Sequence, residues 1–520
     1  MKHFFKKSLC VFLTVLMIAA AFVPFAFAGN EEYPMVYIRG YGNSIFDSKG
    51  NEIDAKDVDK DYILNATKDV LKEMPANPNG DWSRYCDALY NCFAPLYDDV
   101  RLNKDGEPVD GGATWKYRQL NWVIHKTSNF AAYDYCFEYD WRVDPYETAK
   151  ELALYIDKVL AATGKKKVTL VGRCLGACIA AAYLEMTENV ENKVANVIFN
   201  IPSVGGVELF GALFSGNIVL DDVALDRYLT EKSDSKQIFE DPALQSLLVA
   251  AVSLARYCKI VGVATGAVTE IYKRVYKDLV PRLALTSYGS FPSFWSMVGT
   301  EYYEEAKALC FGGQEEEYAK MIEKTDHFYN NVTVRLTEII KDLTAKGINF
   351  SYIAKYNTSI LPVCKECNLQ ADGVTSLSVL SGGATSADIG KVLPASYIEE
   401  AKAKGTDKYI SADKIVDAST CLFPDRTWFV KDLPHAETPD YLDRLTERIS
   451  RGNGNYTVFS DSAYPQYMSN DPETGVMTPS VSPEPTKAQT PKDILKALFN
   501  FLTKLFRFLT KLSSKSAANS

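Results

Sequence analysis

Only four of the 520 residues are histidine, and His3 sits in the extreme N-terminus. Histidine-built metal centres therefore have little to draw on. A zinc site needs four ligands, and the chain has one C-x-x-C pair, Cys364 to Cys367, with no second pair and no paired histidines. Basic charge is also in deficit, with 57 Lys and Arg against 66 Asp and Glu, a formal net charge of −9. That argues against a nucleic-acid binder, which needs a basic face. No internal repeat is evident. No G-x-S-x-G occurs anywhere, so no ordinary serine nucleophile competes for notice. Long apolar stretches at 244–252 and 260–271 are interrupted by Arg256 and Lys259, which argues against a membrane span there.

What is present is an ordinary globular composition, 47% apolar, 24% charged and 12% aromatic. It is neither disordered nor collagen-like nor multi-span. Charge is uneven along the chain. Residues 29–491 carry 48 basic and 65 acidic side chains, or −17, whereas 492–520 carry six and one, or +5. An acidic body and a basic tail require separate explanations.

The first 28 residues read as a secretory signal. Lys2, Lys6 and Lys7 precede an apolar run over 9–23, and Ala26-Phe27-Ala28 is an A-x-A cleavage site. The mature chain then starts at Gly29 and is secreted, in an extracellular or cell-surface setting. The alternative is an uncleaved anchor helix. Export permits disulfides, and ten cysteines remain after Cys10 leaves. Their pairing is not legible. Cys364 and Cys367 read as a local disulfide, two buried thiols or a redox or zinc half-site.

From 134 onward the pattern alternates. Residues 134–139 read as a strand, Pro145 opens a helix that Gly164 ends, 167–172 is a strand, 175–186 a helix and 194–201 a strand. That spacing predicts a parallel α/β sheet. Residues 204–345 are mostly helical and read as a cap or lid insertion, after which strands resume at 348–354 and 427–431. The expected organisation is a signal peptide (1–28), the first half of the core (29–203), the cap (204–345), the second half of the core (346–470), a Pro-rich linker (471–491) and a basic amphipathic tail helix (492–520).

The most informative residues are Gly172-Arg173-Cys174-Leu175-Gly176. They lie between a predicted strand and a predicted helix, the setting of a nucleophile elbow, where small residues let the strand turn sharply and the central side chain is forced outward. That residue is Cys174. A thiol is intrinsically nucleophilic, and a helix N-terminus and a cation such as Arg173 would lower its pKa. The bland reading is a buried cysteine on a tight turn.

A base must follow the nucleophile in this order of elements. His125 precedes it, and His327 lies in the helical insertion. His435 follows the strand-like 427–431 and is the candidate base. Asp372, on a turn beside Gly373, is the candidate acid that orients the imidazole, with Asp388 and Asp413 as weaker rivals. An oxyanion hole needs two backbone donors, expected from Leu175 and from Tyr41 in the loop Arg39-Gly40-Tyr41-Gly42.

These residues resemble the α/β-hydrolase superfamily, and within it the lipase and lecithin:cholesterol acyltransferase-like branch. Residues 35–42 resemble its first strand and loop, Tyr139-Asp-Trp-Arg142 its Y-D-W-R segment, 171–177 its elbow, and Asp372-Gly-Val-Thr with His435 its D-G-x-V and terminal histidine. Coverage is about 33–203 and 346–440. Departures are Arg39, Arg173, Cys174 and Ala177, where His, His, Ser and Gly are usual. A cysteine elbow also resembles polyhydroxyalkanoate synthases and dienelactone hydrolases. The resemblance implies an α/β-hydrolase fold with a large helical cap. It implies a hydrolase or acyltransferase for ester or thioester substrates, acyl and lipid-like, without cofactor or metal. Asp140, Trp141 and Arg142 read as structural, with Arg142 able to pair with an acid beneath the site.

Residues 493–512 place Leu and Phe on one helical face and Lys496, Lys504, Arg507 and Lys511 on the other. A basic amphipathic helix suits an anionic membrane or envelope surface; docking on the body and oligomerisation are the alternatives. A reading of another class keeps the α/β-hydrolase fold as a non-catalytic, surface-associated binding protein.

Overall fold

The computed structural model describes residues 32–109, 135–230 and 260–482, apart from 43, 44, 48, 50, 57–59, 77, 78 and 473. The signal segment, the tail helix, the apolar stretch at 244–252 and His125 therefore lie outside the described residues. No helix among the described residues is long and apolar enough to cross a membrane.

Eight strands form the main sheet: β1 (Met35–Ile38), β2 (Tyr135–Phe137), β3 (Val168–Cys174), β4 (Val194–Pro202), β5 (Asn349–Tyr356), β6 (Thr427–Lys431), β7 (Tyr467–Asn470) and β8 (Met477–Pro479). Their spatial order is β2-β1-β3-β4-β5-β6-β7-β8, and every pairing is parallel except β7 with β8. Helices flank the sheet, so the fold is α/β with a mostly parallel sheet, as expected from the sequence, and the segment between β4 and β5 is a large insertion. The described part of that insertion is helical, including Glu208–Ser215, Ile260–Thr286 and Tyr303–Phe311.

Burial explains why the central strands are continuous apolar runs. A parallel sheet covered on both faces has no solvent side, and all nine residues of β4 are buried. Alternate residues still go to different layers. Val36, Ile38, Leu170, Val197 and Phe199 join the core under the helices Pro145–Thr163 and Leu175–Met186. Met35, Tyr37, Val171, Ile198 and Ile353 join the opposite layer, against Leu442, Leu445 and Ile449 of the helix Asp440–Gly452. Each fully buried Leu or Ile there contributes roughly 1.5–3 kcal/mol.

The helix Pro145–Thr163 begins and ends where local chemistry requires. Pro145 stands in the first turn, where its missing N–H costs nothing. The Asp144 carboxylate caps the Tyr146 amide at 3.1 Å, and Gly164 closes the helix at φ 66°. The Pro-rich segment departs from its reading as linker throughout. Met477–Pro479 pairs antiparallel with β7 at the sheet edge, where proline is tolerated because one side of the strand needs no donors. Edge pairing is a tertiary event, and proline content alone does not reveal it.

Candidate active site

The carboxyl ends of β1, β3, β4, β5 and β6 share one edge of the sheet, the edge at which ligands bind in open α/β folds. The chain leaves β3 through Cys174, held at φ 49°, ψ −123°. For a residue with a Cβ this is strained backbone, costing of the order of 1–3 kcal/mol. The surroundings explain how it is held. A Cβ on Gly176 would stand 2.1 Å from the Ile38 carbonyl oxygen, and one on Gly172 would stand 2.9 Å from the Ala177 Cα. Both glycines are required by close approach of β1 and the following helix. A Cβ on Gly40 would reach 2.9 Å from the Cys174 Cβ and 3.6 Å from Sγ, so the loop after β1 lies directly against the thiol. The Tyr139 phenol fixes that loop by donating to the Arg39 carbonyl at 2.7 Å.

The same edge brings His435 and Asp372 to Cys174. Nδ1 of His435 lies 2.5 Å from Oδ2 of Asp372, and the His435 amide donates to the Asp372 carbonyl at 2.8 Å. The charge of the imidazole also acts on the Cys174 thiol. Asp372 is fully buried, and its other oxygen accepts from the amides of Val374 at 3.0 Å and Thr375 at 2.9 Å. Two residues in the left-handed region shape the supporting loops: Asn357 at φ 70° and Asp432 at φ 57°, joined by an Asn357 Nδ2 to Asp432 Oδ1 hydrogen bond of 2.6 Å.

The electrostatics follow from this geometry. Burial raises the pKa of the Cys174 thiol. The charge and hydrogen bond of His435, then the Ser203 hydroxyl and the Leu175 amide, outweigh burial and bring it down to about 7. Burial alone would lower the His435 pKa; Asp372 and Cys174 raise it to about 10. Burial would raise the Asp372 carboxyl, but His435, the Thr375 amide and Lys355 hold it below the ordinary carboxylate range. Above about pH 7 the arrangement favours thiolate, imidazolium and carboxylate in a row. Cys178, one turn beyond the elbow, is the contrast: burial pushes its thiol up to about 12.

Other expected residues fall into place differently. Leu175 is buried, and its amide helps to lower the Cys174 thiol pKa. Tyr41 sits on the loop beside the elbow, its ring against Trp141 at 4.6 Å and Phe294 at 5.7 Å. Arg142 pairs with Asp140, Nε to Oδ1 at 2.9 Å and Nη2 to Oδ2 at 2.7 Å, and also donates to the Val100 carbonyl, so the Y-D-W-R segment is internal scaffolding. Arg173 reaches the His435 loop, donating to the carbonyls of His435 at 3.0 Å and Ala436 at 3.2 Å. Asp388 pairs with Lys391 and Asp413 with Lys431. The His327 ring lies tilted against that of Tyr146, with centroids 4.2 Å apart. Cys364 and Cys367 are buried free thiols. Among the described residues no group of three or more His, Cys, Asp or Glu side chains could hold a metal ion.

Sequence reasoning missed Ser203. Its hydroxyl donates to the Cys174 sulfur at 3.3 Å and its amide to the Cys174 carbonyl at 3.2 Å. Ile201, a β-branched residue at φ 46°, turns the chain there. No local motif marks either residue; a strand ending beside the elbow was the only available signal.

No family model matches the chain, and no curated protein matches it. A solved structure described as the crystal structure of the Tle4-Tli4 complex is similar at 11% identity and a TM-score of 0.22, covering 62% of this chain and 75% of that one. The functional reading therefore rests on the geometry of the site.

Proposed function

We propose that the protein is a secreted hydrolase or acyltransferase of the lipase-like α/β-hydrolase branch, acting on ester or thioester substrates through Cys174, His435 and Asp372. The observation that carries this reading is the His435 imidazole, held on Nδ1 by the Asp372 carboxylate, acting on the Cys174 thiol at a strained strand-to-helix turn.

In this reading the Cys174 thiolate adds to the acyl carbonyl. The amides of Leu175 and Tyr41 receive the oxygen as it becomes anionic. When the carbon–oxygen or carbon–sulfur bond to the leaving group breaks, His435 delivers its Nε2 proton to the departing atom, and a thioester to Cys174 remains. Water, or an alcohol in acyl transfer, then gives a proton to His435 as its oxygen attacks. The carbon–sulfur bond to Cys174 breaks and the thiolate returns. Asp372 keeps Nδ1 protonated throughout and stabilises the imidazolium. Aromatic rings near the elbow, Tyr41, Trp141, Phe294 and Tyr288, support an apolar, acyl-bearing substrate. The basic amphipathic tail would hold the enzyme at an anionic membrane or envelope surface.

The test is turnover of a graded series of p-nitrophenyl acyl esters and acyl thioesters by residues 29–520, beside Cys174→Ala. Turnover that vanishes in the variant supports the reading, and the best chain length sizes the pocket. Equal rates in both proteins, with no acyl adduct on Cys174 by mass spectrometry, defeat it.

A further inference from the structure

Four successive backbone carbonyls, 434 to 437, turn onto two cations from β3 and β5, the strands on either side of β4. Lys355 of β5 is fully buried, and its Nζ donates to the carbonyls of Pro434 at 2.9 Å, His435 at 3.0 Å and Glu437 at 2.5 Å. Arg173 of β3 donates to the carbonyls of His435 and Ala436. An ammonium has three N–H bonds, and each of these acceptors lies on the short stretch that carries the imidazole. On the other side of the same residue, the His435 amide is held by the Asp372 carbonyl. Both backbone polar groups of His435 are thus tied to strands or loops of the sheet edge.

A charge at position 355 needs a reason. The residues before it on β5, Ile353 and Ala354, are buried and apolar. An apolar side chain would pack a buried strand without the cost of desolvating an ammonium. What only a cation supplies here is a grip on several carbonyls at once. Burial and the adjacent Arg173 lower the Lys355 pKa to about 7, with Asp372, Glu437 and Cys174 holding it up. A neutral amine has one N–H fewer and releases one carbonyl.

We propose that Lys355 and Arg173 are positioning residues that clamp the 434–437 main chain and so hold the His435 imidazole between Cys174 and Asp372. This rests on the reading of His435 as the partner of the thiol, but not on any particular substrate.

The experiment is a double-mutant cycle read by iodoacetamide alkylation of Cys174, with the adduct located by mass spectrometry. Rates are compared at pH 6, where the lysine is charged, for wild type, Lys355→Met, His435→Ala and the double variant. Lys355→Met is expected to slow alkylation about tenfold in the wild-type background and less than about twofold in the His435→Ala background, because its effect travels through the imidazole. The pH midpoint of alkylation is expected to rise in Lys355→Met alone. Equal slowing in both backgrounds overturns the proposal, since the lysine would then act on the thiolate directly or through packing. Unchanged alkylation in the wild-type background overturns it as well. Should Lys355→Met not fold, Arg173→Gln, at a partly exposed position, passes through the same cycle and decides the matter. Alkylation needs no substrate, so a failure to find turnover would defeat the proposed function and leave this result standing.

Discussion

On the Cys174 side of the site the geometry is set by contact. Gly172 and Gly176 let β1, β3 and the following helix approach until no Cβ fits, and the strained Cys174 is what that approach leaves. On the His435 side the geometry is set by charge. The loop from Asp432 to His435 is anchored by the buried Leu433 and by Asn357 on Asp432, and its His435 end is held by Asp372, Lys355 and Arg173 through polar contacts across long sequence separations. Steric fixing is rigid and independent of protonation. Electrostatic fixing is distant and depends on protonation. A perturbation of the first side should therefore appear as lost stability, and of the second as lost reactivity.

The sharpest test of that contrast is Asp372→Asn. If the site acts as proposed, turnover should fall roughly a thousand- to ten-thousandfold, because the imidazole loses its orienting carboxylate. A comparable loss of folding stability, measured by urea unfolding, would break the contrast. Gly176→Val probes the other side. With its carbonyl neighbour already at the limit of contact, it should cost about 4 kcal/mol or more of unfolding free energy. A near-normal urea midpoint would show that the elbow is not sterically determined.

The pH dependence comes next. In wild type the thiolate fraction rises through about pH 7, and His435 stays protonated to about pH 10. Alkylation should rise through pH 7 and not fall again, whereas turnover should fall above pH 10 as the acid proton is lost. In His435→Ala, only the Ser203 hydroxyl and the Leu175 amide are left to offset burial of the thiol, and the midpoint should move above the ordinary thiol value. At pH 6 alkylation should then drop about a hundredfold. A midpoint that stays near 7 would separate the thiol from the imidazole. The smallest effect is expected for Ser203→Ala, which removes one hydrogen bond to the sulfur. Stopped-flow acylation should slow roughly three- to tenfold, with the alkylation midpoint moved slightly upward because the hydroxyl lowers the thiol pKa.

The same contrast governs what could be read from the chain. Gly172-Arg173-Cys174-Leu175-Gly176 announces its turn within five residues, although the backbone that Gly176 must admit is Ile38 of β1. His435 was reachable by elimination among three histidines, and Asp372 by its turn beside Gly373. Neither position says that Nδ1 and Oδ2 will meet across 63 residues. Ser203 and Lys355 carried no such signal, because one follows an ordinary strand and the other sits inside one. Arg173 suggested a cation near the thiol, and the fold turns it toward the His435 loop. The prolines of 471–491 suggested a linker, but β8 pairs at the sheet edge.

The sequence by itself determined the strands from β1 to β6, the helices between β2 and β4, the helical character of the insertion and the elbow. Each of these depends on periodicity, on proline or on glycine, properties that act over a few residues. The tertiary structure decided which charges meet. It set Asp372 on His435, turned four carbonyls onto Lys355 and Arg173, and brought Ser203 to the sulfur. Coulombic and hydrogen-bond contacts depend on distances in space, and only the closed sheet makes those distances short.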